Sequence, residues 1–390
     1  MSEAALLVLN TGSSSVKFAL HDATSRERIA HGAIEGIGRD PVLDWHQGTS
    51  TETLHPEPGA CGETGALIDW LLRQIEARLG AREIAGAGHR VVHGGRDFDG
   101  PVRVTDDVLQ RLEAFCPLAP GHQPYNLLGI RAVAARWPDC PQVACFDTAF
   151  HRTRPRAAQL FALPRALTDE GILRYGFHGL SYEFIAGRLG DVLGAERAQG
   201  RVIVAHLGSG ASLCAMRGGR SVDTTMGFTA LDGLMMGTRC GQIDPGVLIH
   251  LMREKGMDAD ALERLLGRES GLLGVSGIGA DMRDLLESAA PEAEEAVALF
   301  VHMIHRQIGA LTASLGGLDA LVFTAGIGER APGIRARVMA GLGWLGLVAD
   351  EDANRAGAPV ISAPESAVTA AVIPTDEEAV ILRAVVALRP

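Results

Sequence analysis

Short apolar runs that alternate with glycine-rich polar segments set the pattern of this sequence. Residues 6–9 form one apolar run, the polar segment 10–15 follows, and residues 16–20 form a second apolar run. Small polar residues end strands and supply turns, so this order predicts a strand, a tight turn and a second strand. The amino-terminal segment is therefore predicted to form a β-hairpin.

The same pattern returns near the middle of the chain. The polar segment 206–212 again separates two apolar runs, and a shift of 196 residues places Asn10 on His206 and Gly12 on Gly208. An offset close to half the chain length differs from the short period of a solenoid repeat. It predicts two domains with related cores.

Helical and strand-like patterns alternate in the rest of the chain. They predict helices at residues 66–79, 106–115, 292–311 and 375–388, and strands at residues 84–93, 142–146 and 320–324. In the last helix, Thr375 and Glu378 have the spacing of a capping box. The alternation indicates a mixed α/β protein with two lobes.

Composition and charge narrow the class of protein. The chain has 390 residues, of which 47% are apolar, and its formal net charge is -11. This length suits two domains, and an acidic balance argues against a nucleic-acid-binding protein. The six cysteines form no CxxC pair, and neither a signal-peptide pattern nor an apolar run of transmembrane length occurs. We therefore expect a cytoplasmic protein that binds neither nucleic acid nor a membrane.

Three polar, glycine-rich segments that follow apolar strands are candidates for binding phosphate. They cover residues 10–15, 206–212 and 326–329. Turns of this kind expose backbone N–H groups, and their small side chains let a ligand come close. None contains a GxxxxGK[ST] or GxGxxG motif, which disfavours a P-loop and a dinucleotide-binding Rossmann site. A plain hairpin explains each segment alone, whereas the three together favour a phosphate clamp between two lobes.

Three arginines are candidates for binding an anionic substrate. Arg90, Arg239 and Arg283 lie among small or apolar residues and not in charge runs. The planar guanidinium matches carboxylate and phosphate oxygens, although an isolated arginine is as often an ordinary surface residue.

Two histidines and two acidic residues complete the set of candidates. His122 and His178 lie in glycine-containing segments, Asp147 ends a predicted strand, and Glu377 lies in the first turn of the last helix. Each also has an ordinary structural explanation, because histidines are often satisfied in cores and acidic residues favour helix N-termini.

Seven segments resemble the sequence blocks of acetate kinases. They are residues 10–17, 146–151, 174–179, 206–210, 223–227, 237–245 and 324–329. The segments occur in the family order and, with residues near 378, extend over nearly the whole chain.

The resemblance implies the acetate and sugar kinase/Hsp70/actin fold, with two lobes, a duplicated core and an interlobe cleft. The amino-terminal lobe would comprise residues 1–149 and a returning helix, 378–390, and the nucleotide-binding lobe residues 150–377. A homodimer is implied, together with direct in-line phosphoryl transfer between ATP and acetate or another small carboxylate. The implied cofactor is Mg²⁺, with Mn²⁺ as an alternative.

The resemblance also implies roles for the candidate catalytic residues. Arg90 and Arg239 would bind the carboxylate and the moving phosphoryl group. His178 would stabilise the transition state, with His122 in a supporting, substrate-binding position. Asp147 would be the catalytic acidic residue and would position Arg239 or the metal.

Further roles concern the metal, the acyl group and the nucleotide. Asn10 and Glu377 would hold the metal, Glu377 through water, with Glu378 as the alternative. Val92 and Phe177 would wall the acyl pocket. Contacts with ATP or ADP are implied for Lys17, His206, Leu207, Gly208, Ser209, Gly210, Asp281, Met282, Arg283, Gly326, Ile327, Gly328, Glu329 and Arg330.

Four positions depart from the family pattern. Ser209 and Arg330 replace asparagines in nucleotide-contacting segments, whereas the retained Gly326 favours ATP over pyrophosphate. Gly121 replaces a leucine and Ala230 a proline beside the expected acyl site. Smaller residues there lead us to expect better tolerance of propionate, which makes a propionate kinase the nearest alternative. An actin- or Hsp70-like ATPase switch is the alternative from a different class.

Overall fold

Thirteen strands form two separate sheets in the computed structural model, which describes residues 3–389. The first sheet contains β1 (Ala4–Thr11), β2 (Val16–Asp22), β3 (Arg28–Glu35), β4 (Val42–Gln47), β5 (Ser50–Leu54), β6 (Glu83–Val91), β7 (Val102–Arg103) and β8 (Gln142–Phe146). The second contains β9 (Arg201–Leu207), β10 (Ala211–Arg217), β11 (Arg220–Thr224), β12 (Ala320–Thr324) and β13 (Thr369–Val372). The central strands are almost wholly apolar, as expected for strands covered on both faces.

Fifteen helices in the described residues accompany the sheets. They are α1 (Thr64–Arg78), α2 (Asp106–Glu113), α3 (Gln123–Arg136), α4 (Arg165–Asp169), α5 (Gly179–Leu193), α6 (Ala195–Ala198), α7 (Pro245–Lys255), α8 (Ala259–Arg268), α9 (Gly271–Ser276), α10 (Met282–Glu287), α11 (Pro291–Leu315), α12 (Ala325–Arg330), α13 (Pro332–Ala340), α14 (Glu351–Ala356) and α15 (Glu377–Leu388). No helix in this part of the chain is long and apolar enough to cross a membrane.

The chain divides into two units. The first comprises Met1–Ala149 with Asp376–Pro390, and the second comprises Phe150–Thr375. The second boundary falls two residues before the 377/378 division expected from the sequence. Asp376 and Glu377 therefore belong to the first unit, together with the rest of α15.

The two sheets share a five-stranded core, which confirms the duplication that the sequence predicted. The strand order β3-β2-β1-β6-β8 of the first sheet matches β11-β10-β9-β12-β13 of the second. In each, the first strand of the hairpin pairs antiparallel with its hairpin partner and parallel with a later strand. Asn10 pairs with Lys17 and His206 with Ser212, so the second hairpin loop is one residue shorter. The 196-residue offset therefore holds for the first strand and becomes 195 for the second.

Helix α15 packs against the first sheet. A Cβ atom at Gly88 on β6 would lie 2.4 Å from Ile381 Cγ2 and 2.6 Å from Val385 Cγ2. A Cβ atom at Gly86 would likewise lie 3.0 Å from Val385 Cγ1. Absent side chains at two alternate positions of the strand thus allow the helix to approach closely.

Two local predictions were wrong. Asp376 caps α15 by accepting a hydrogen bond from the Ala379 N–H at 2.9 Å, so Thr375 and Glu378 do not form a capping box. The segment 326–329, predicted as a turn, lies in helix α12. The backbone enters that helix through Ala325 at φ +63°, a conformation that the sequence does not signal for alanine.

Candidate active site

Side chains from three strand ends meet in the first unit. Asn10 lies near the end of β1, Arg90 near the end of β6, and Asp147 directly after β8. Because these strands are parallel neighbours, their carboxyl ends lie at one edge of the sheet. The topology therefore brings together three predicted site residues that are far apart in sequence.

Arg90 and Asp147 form a two-pronged ion pair. Arg90 Nε donates to Asp147 Oδ1 at 3.1 Å and Nη2 donates to Oδ2 at 2.6 Å, while Nη1 lies 3.3 Å from Asn10 Oδ1. The Asp147 side chain is 2% exposed and that of Arg90 22%. Burial opposes the charge of Arg90, but the carboxylates of Asp147 and Glu377 outweigh it and raise the pKa of Arg90. The guanidinium is thus held in place by contacts from all three of its nitrogens, while part of the side chain stays accessible.

Glu377 joins this cluster from the first turn of α15. Its Oε2 lies 3.8 Å from Arg90 Nε. Burial raises the pKa of Glu377, and the neighbouring Asp147 carboxylate adds to this, whereas Arg90 and Lys17 oppose it. Lys17 faces this acidic group from β2, where it pairs with Asn10 and is exposed. Glu378 is turned to Arg28 at 3.9 Å and is the more exposed of the two glutamates.

The segment after β6 is fixed by two buried amides of α3 that sequence reasoning missed. Asn126 Oδ1 accepts from the Val92 N–H at 2.9 Å, and its Nδ2 donates to the Thr11 carbonyl at 2.6 Å. Gln123 binds both the N–H and the carbonyl of His93. Val92 is buried, and His122 is the residue immediately before α3. No signal in the sequence distinguishes these two amides from the other polar residues of the helix, such as Arg131 and Arg136.

The second unit holds two stacked histidines. His178, at φ +59°, immediately precedes α5, and its ring lies 4.1 Å from that of His206, with 21° between the planes. His178 Nδ1 lies 2.8 Å from Ser212 Oγ, and His206 Nδ1 lies 2.8 Å from Ser181 Oγ. Ser212 lies in the predicted phosphate-binding segment 206–212 but was not expected to contact a histidine, and Ser181 was not among the candidates from the sequence.

The glycine-rich loop after β9 lies beside His178 and Arg239. A Cβ atom on Gly210 would lie 3.3 Å from His178 Nε2 and 3.8 Å from Arg239 Nη1. Arg239 also donates to the Ala230 carbonyl at 3.1 Å, and the Ser209 carbonyl accepts from the Gly237 N–H. A cation, an imidazole and a glycine-rich loop therefore share one small region, which suits an anionic group.

Phe177, the residue before His178, is buried within a braced segment. Its carbonyl lies 2.9 Å from His151 Nε2, and burial lowers the pKa of His151 to about 3, which keeps that ring neutral. Arg154 donates to the carbonyls of Arg174 and Tyr175. This bracing fixes the backbone that leads into His178.

Helix α12 carries the third glycine-rich segment. Gly326 and Arg330 are exposed, Ile327 is half-buried and Gly328 is buried. The Glu329 carboxylate accepts from the N–H groups of Ala325 at 2.8 Å and Thr375 at 3.1 Å. Glu329 thus stabilises the entry of its own helix.

Asp281 and Arg283 form a local pair at the start of α10. Asp281 caps the helix, and hydrogen bonds from the side chain and backbone N–H of Arg283 lower the pKa of Asp281 to about 2. The Arg283 side chain is 85% exposed and Met282 is buried. Arg283 is therefore a surface cation, unlike Arg90.

The acidic cluster of the first unit is suited to an oxygen-binding divalent cation. No group of three or more His, Cys, Asp or Glu side chains in the described residues could hold a metal ion. The Glu377 carboxylate and the Asn10 amide oxygen are the candidate ligands. Asn10 Oδ1 and both oxygens of Asp147 already lie within hydrogen-bond distance of Arg90. Mg²⁺ is commonly bound by one or two protein oxygens together with substrate phosphates and water.

Sequence comparison identifies the relatives of this chain. Residues 5–383 match the model of the acetokinase family. The chain belongs to the acetokinase family. The curated acetate kinase of Rhodopseudomonas palustris is 56% identical over 97% of this chain and 96% of its own length. That of Geobacillus kaustophilus is 43% identical over 99% of both chains. This member of the family is accordingly an enzyme, a kinase.

Solved structures agree with this assignment. A propionate kinase from Francisella tularensis has a TM-score of 0.92 and 35% identity, covering 99% of this chain and 100% of its own. The acetate kinase of Porphyromonas gingivalis has a TM-score of 0.88 and 36% identity, covering 99% of both chains. These two structures share the fold of this chain over nearly its whole length, which confirms the predicted α/β fold with a duplicated sheet core.

Proposed function

We propose that this chain is an acetate kinase that transfers a phosphoryl group reversibly between ATP and acetate, giving acetyl phosphate and ADP. The Arg90–Asp147 pair carries the proposal, because it presents a fixed and partly exposed guanidinium at a sheet edge in a chain of the acetokinase family. Acetate kinases that cover nearly the whole chain at up to 56% identity support the choice of acceptor.

The chemistry requires charge stabilisation more than proton transfer. A carboxyl group with a pKa of about 4 has already lost its proton at neutral pH. It can therefore attack phosphorus without a general base. The barrier comes from bringing one anion to another, and phosphoryl transfer is catalysed mainly by positioning and electrostatics. Arg90 would bind the carboxylate, and Arg239 and His178 would donate to the phosphoryl oxygens. We therefore propose direct in-line transfer without a phosphoenzyme.

We propose Mg²⁺ as the cofactor, with Mn²⁺ as a substitute. When bound, the ion would neutralise charge on the nucleotide phosphates. Glu377 and Asn10 would hold it, in preference to Glu378, which faces Arg28. The raised pKa of Glu377 supports this role, since a cation would relieve the burial of its charge.

ATP is the proposed donor, and the nucleotide would contact the second unit. Gly326 is exposed and a Cβ atom there would meet no heavy atom within 4 Å, which leaves open surface beside α12. The proposed contacts are those of residues 206–210, 281–283 and 326–330, and Lys17 is a further proposed contact.

Propionate is the second candidate acceptor, because position 121 has unfilled space. A Cβ atom on Gly121 would also meet no heavy atom within 4 Å, and Val92 is the predicted apolar wall of the same unit. In the second unit, Phe177 is the other predicted wall of the acyl pocket, and Ala230 is a small residue predicted to lie beside that pocket. One methylene in an apolar pocket is worth about 1–3 kcal/mol.

A substrate panel separates these possibilities. The kcat/KM values for acetate, propionate and butyrate would be measured with ATP, GTP and pyrophosphate as donors. We expect activity with ATP and with both acetate and propionate. In the Gly121→Leu variant, the ratio of kcat/KM for propionate to kcat/KM for acetate should fall about tenfold. An unchanged ratio would remove Gly121 from the specificity determinants, and ATP hydrolysis indifferent to every carboxylate would favour an ATPase switch.

We also propose a cytoplasmic homodimer. Helix α7, all of whose residues are described, contains no buried residue. Val247, Ile249 and Met252 are 40%, 49% and 48% exposed, with Ile243 just before the helix. Ile249 and Met252 are three residues apart and share one exposed side of the helix, whereas Val247 is exposed on another side. Exposed apolar side chains of this kind commonly mark a contact surface, and a second copy of this chain is the proposed partner. No disulfide bond joins the six cysteines, all of which lie in the described part of the chain, as is usual in a reducing compartment.

A further inference from the structure

Three side chains of the second unit form a hydrogen-bonded chain that ends at His178. Tyr182 Oη lies 2.5 Å from Ser212 Oγ, and Ser212 Oγ lies 2.8 Å from His178 Nδ1. Tyr182 comes from the first turn of α5 and Ser212 from β10. Both side chains are fully buried, so water does not compete for their hydrogen bonds.

The direction of this chain follows from the phenol. Burial raises the pKa of Tyr182 well above its usual value, so the hydroxyl keeps its proton. Within the described residues, its only hydrogen-bond partner is Ser212. A buried O–H without an acceptor would lose the hydrogen bond that water provides in the unfolded chain, so Tyr182 donates to Ser212.

Ser212 then has one proton to give, and His178 Nδ1 receives it. We propose that Tyr182 is a positioning residue that acts through Ser212 to fix His178 as the tautomer protonated on Nε2. The proposal extends the function given above, in which His178 contacts the phosphoryl group. The positions of the two hydroxyl hydrogens are assigned by giving each O–H group an acceptor in turn.

The fixed tautomer has a consequence at the glycine-rich loop. Nε2 is the ring nitrogen on the side of Gly210, where Arg239 Nη1 also lies within reach. A proton on Nε2 makes this atom a permanent donor toward an anionic oxygen there. His178 would therefore serve as a neutral donor that needs no protonation step before each turnover.

The neighbouring histidine shows that such fixing is not automatic. His206 Nδ1 contacts Ser181, and Ser181 contacts Thr375 Oγ1 at 2.8 Å. Thr375 is only half-buried, so its hydroxyl is free to turn toward solvent. That chain has no obligatory direction, whereas the buried phenol of Tyr182 imposes one.

The test is the tautomer itself. Full-length protein labelled with ¹⁵N in histidine would be studied by long-range ¹H–¹⁵N correlation at neutral pH, and His178→Gln would identify the resonances. We expect an unprotonated Nδ1 and a protonated Nε2 for His178. In Tyr182→Phe, Ser212 loses its donor and can accept from the ring, so a population protonated on Nδ1 should appear. The kcat of that variant should fall, but by less than the roughly 10²–10³-fold expected for loss of the donor itself.

Tyr175→Phe is the matched control. Its hydroxyl donates to the Gly171 carbonyl at 2.7 Å and not to Ser212, so the His178 resonances should not change. An Nδ1-protonated ring or an imidazolium in the wild-type protein would overturn the proposal, and so would an unaltered pattern in Tyr182→Phe. If Tyr182→Phe fails to fold, the wild-type spectrum and Ser212→Ala still decide. Acyl phosphate formation by wild-type protein is measured separately, so failure of the proposed function is distinguishable.

Discussion

Arg90 shows at the residue scale how one side chain depends on its neighbours. Its fork is bound on one side by a buried carboxylate, and it also contacts an amide oxygen and a second, partly buried carboxylate. Lysine keeps the charge but not the two-pronged geometry. Removing the cation altogether would leave Asp147 buried without its partner, which is far more costly.

Arg90→Lys should therefore lower kcat/KM by about 10²-fold while the protein stays folded. Steady-state kinetics and circular dichroism would measure the two effects. Arg201→Lys is the matched control, because Arg201 makes the same fork to Asp319 at the start of β9. Near-normal turnover of Arg90→Lys, or an equal loss in Arg201→Lys, would contradict the assigned role.

Glu377 leads to a prediction about pH. A carboxyl group with a raised pKa in the folded protein stabilises the fold only at low pH, and this contribution is lost as pH rises through that pKa. Glu377→Gln should therefore gain stability relative to wild type between about pH 5 and about pH 8, as followed by urea unfolding.

Glu294→Gln is a control in which the stability difference from wild type has the opposite sign. Hydrogen bonds from Arg337 lower the pKa of Glu294 from its usual 4.5, so the stabilising contribution of its charge is complete above about pH 5 and is lost as pH falls below that value. Glu294→Gln should therefore be less stable than wild type by a constant amount between about pH 5 and about pH 8, and the difference should shrink only at lower pH. A flat difference for Glu377→Gln across that range would show that its charge is not penalised in the folded state.

At the scale of elements, the sequence predicted those helices and strands that are marked by a local pattern of apolar residues. The hairpins, α1, α2, α11 and the strands β8 and β12 were expected close to their observed bounds, because apolar periodicity reports one-sided or complete burial. Apolar periodicity did not predict α12. This helix begins at Ala325 with a positive φ, and the Ala325 N–H there donates to the Glu329 carboxylate. The partners Asn126, Ser212 and Tyr182 were also missed, because tertiary packing alone selects which polar residues meet.

The contact between α15 and β6 gives a prediction at this scale. Gly88→Ala should destabilise the protein by about 1–3 kcal/mol, because the added methyl meets branched side chains of Ile381 and Val385. Urea unfolding would measure the change, and Val385→Ala in the same chain should restore part of it. Gly309→Ala, in the interior of α11 with no neighbour near its Cβ position, should instead stabilise by about 0.5–1 kcal/mol. A neutral Gly88→Ala would contradict the close packing.

At the scale of the whole molecule, the exposed apolar face of α7 predicts association. Ile249→Glu should convert the proposed dimer to a monomer in light scattering coupled to size exclusion, since a charge would be buried against a second copy. Val348→Glu, at a comparably exposed residue outside α7, is the control and should stay dimeric. A wild-type monomer at micromolar concentration, or a dimer unaffected by Ile249→Glu, would contradict this placement of the interface.

The duplicated core and the family assignment describe a molecule whose two units carry different chemical groups. The first presents Arg90, Asp147, Asn10 and Glu377, and the second presents His178, His206 and Arg239 around a glycine-rich loop. This division fits a reaction in which a carboxylate and a nucleotide phosphate must both be held. A nucleotide switch would not require the carboxylate-binding role that we propose for Arg90.

The stoichiometry of one reaction tests phosphoryl transfer to a carboxylate most directly. Purified protein would be incubated with ATP and Mg²⁺, with and without acetate, and both ADP and hydroxylamine-trapped acyl phosphate would be quantified. Direct transfer predicts that ADP forms only with acetate and in equal amount to acyl phosphate. ADP formation that is independent of acetate, with no acyl phosphate trapped, would contradict it.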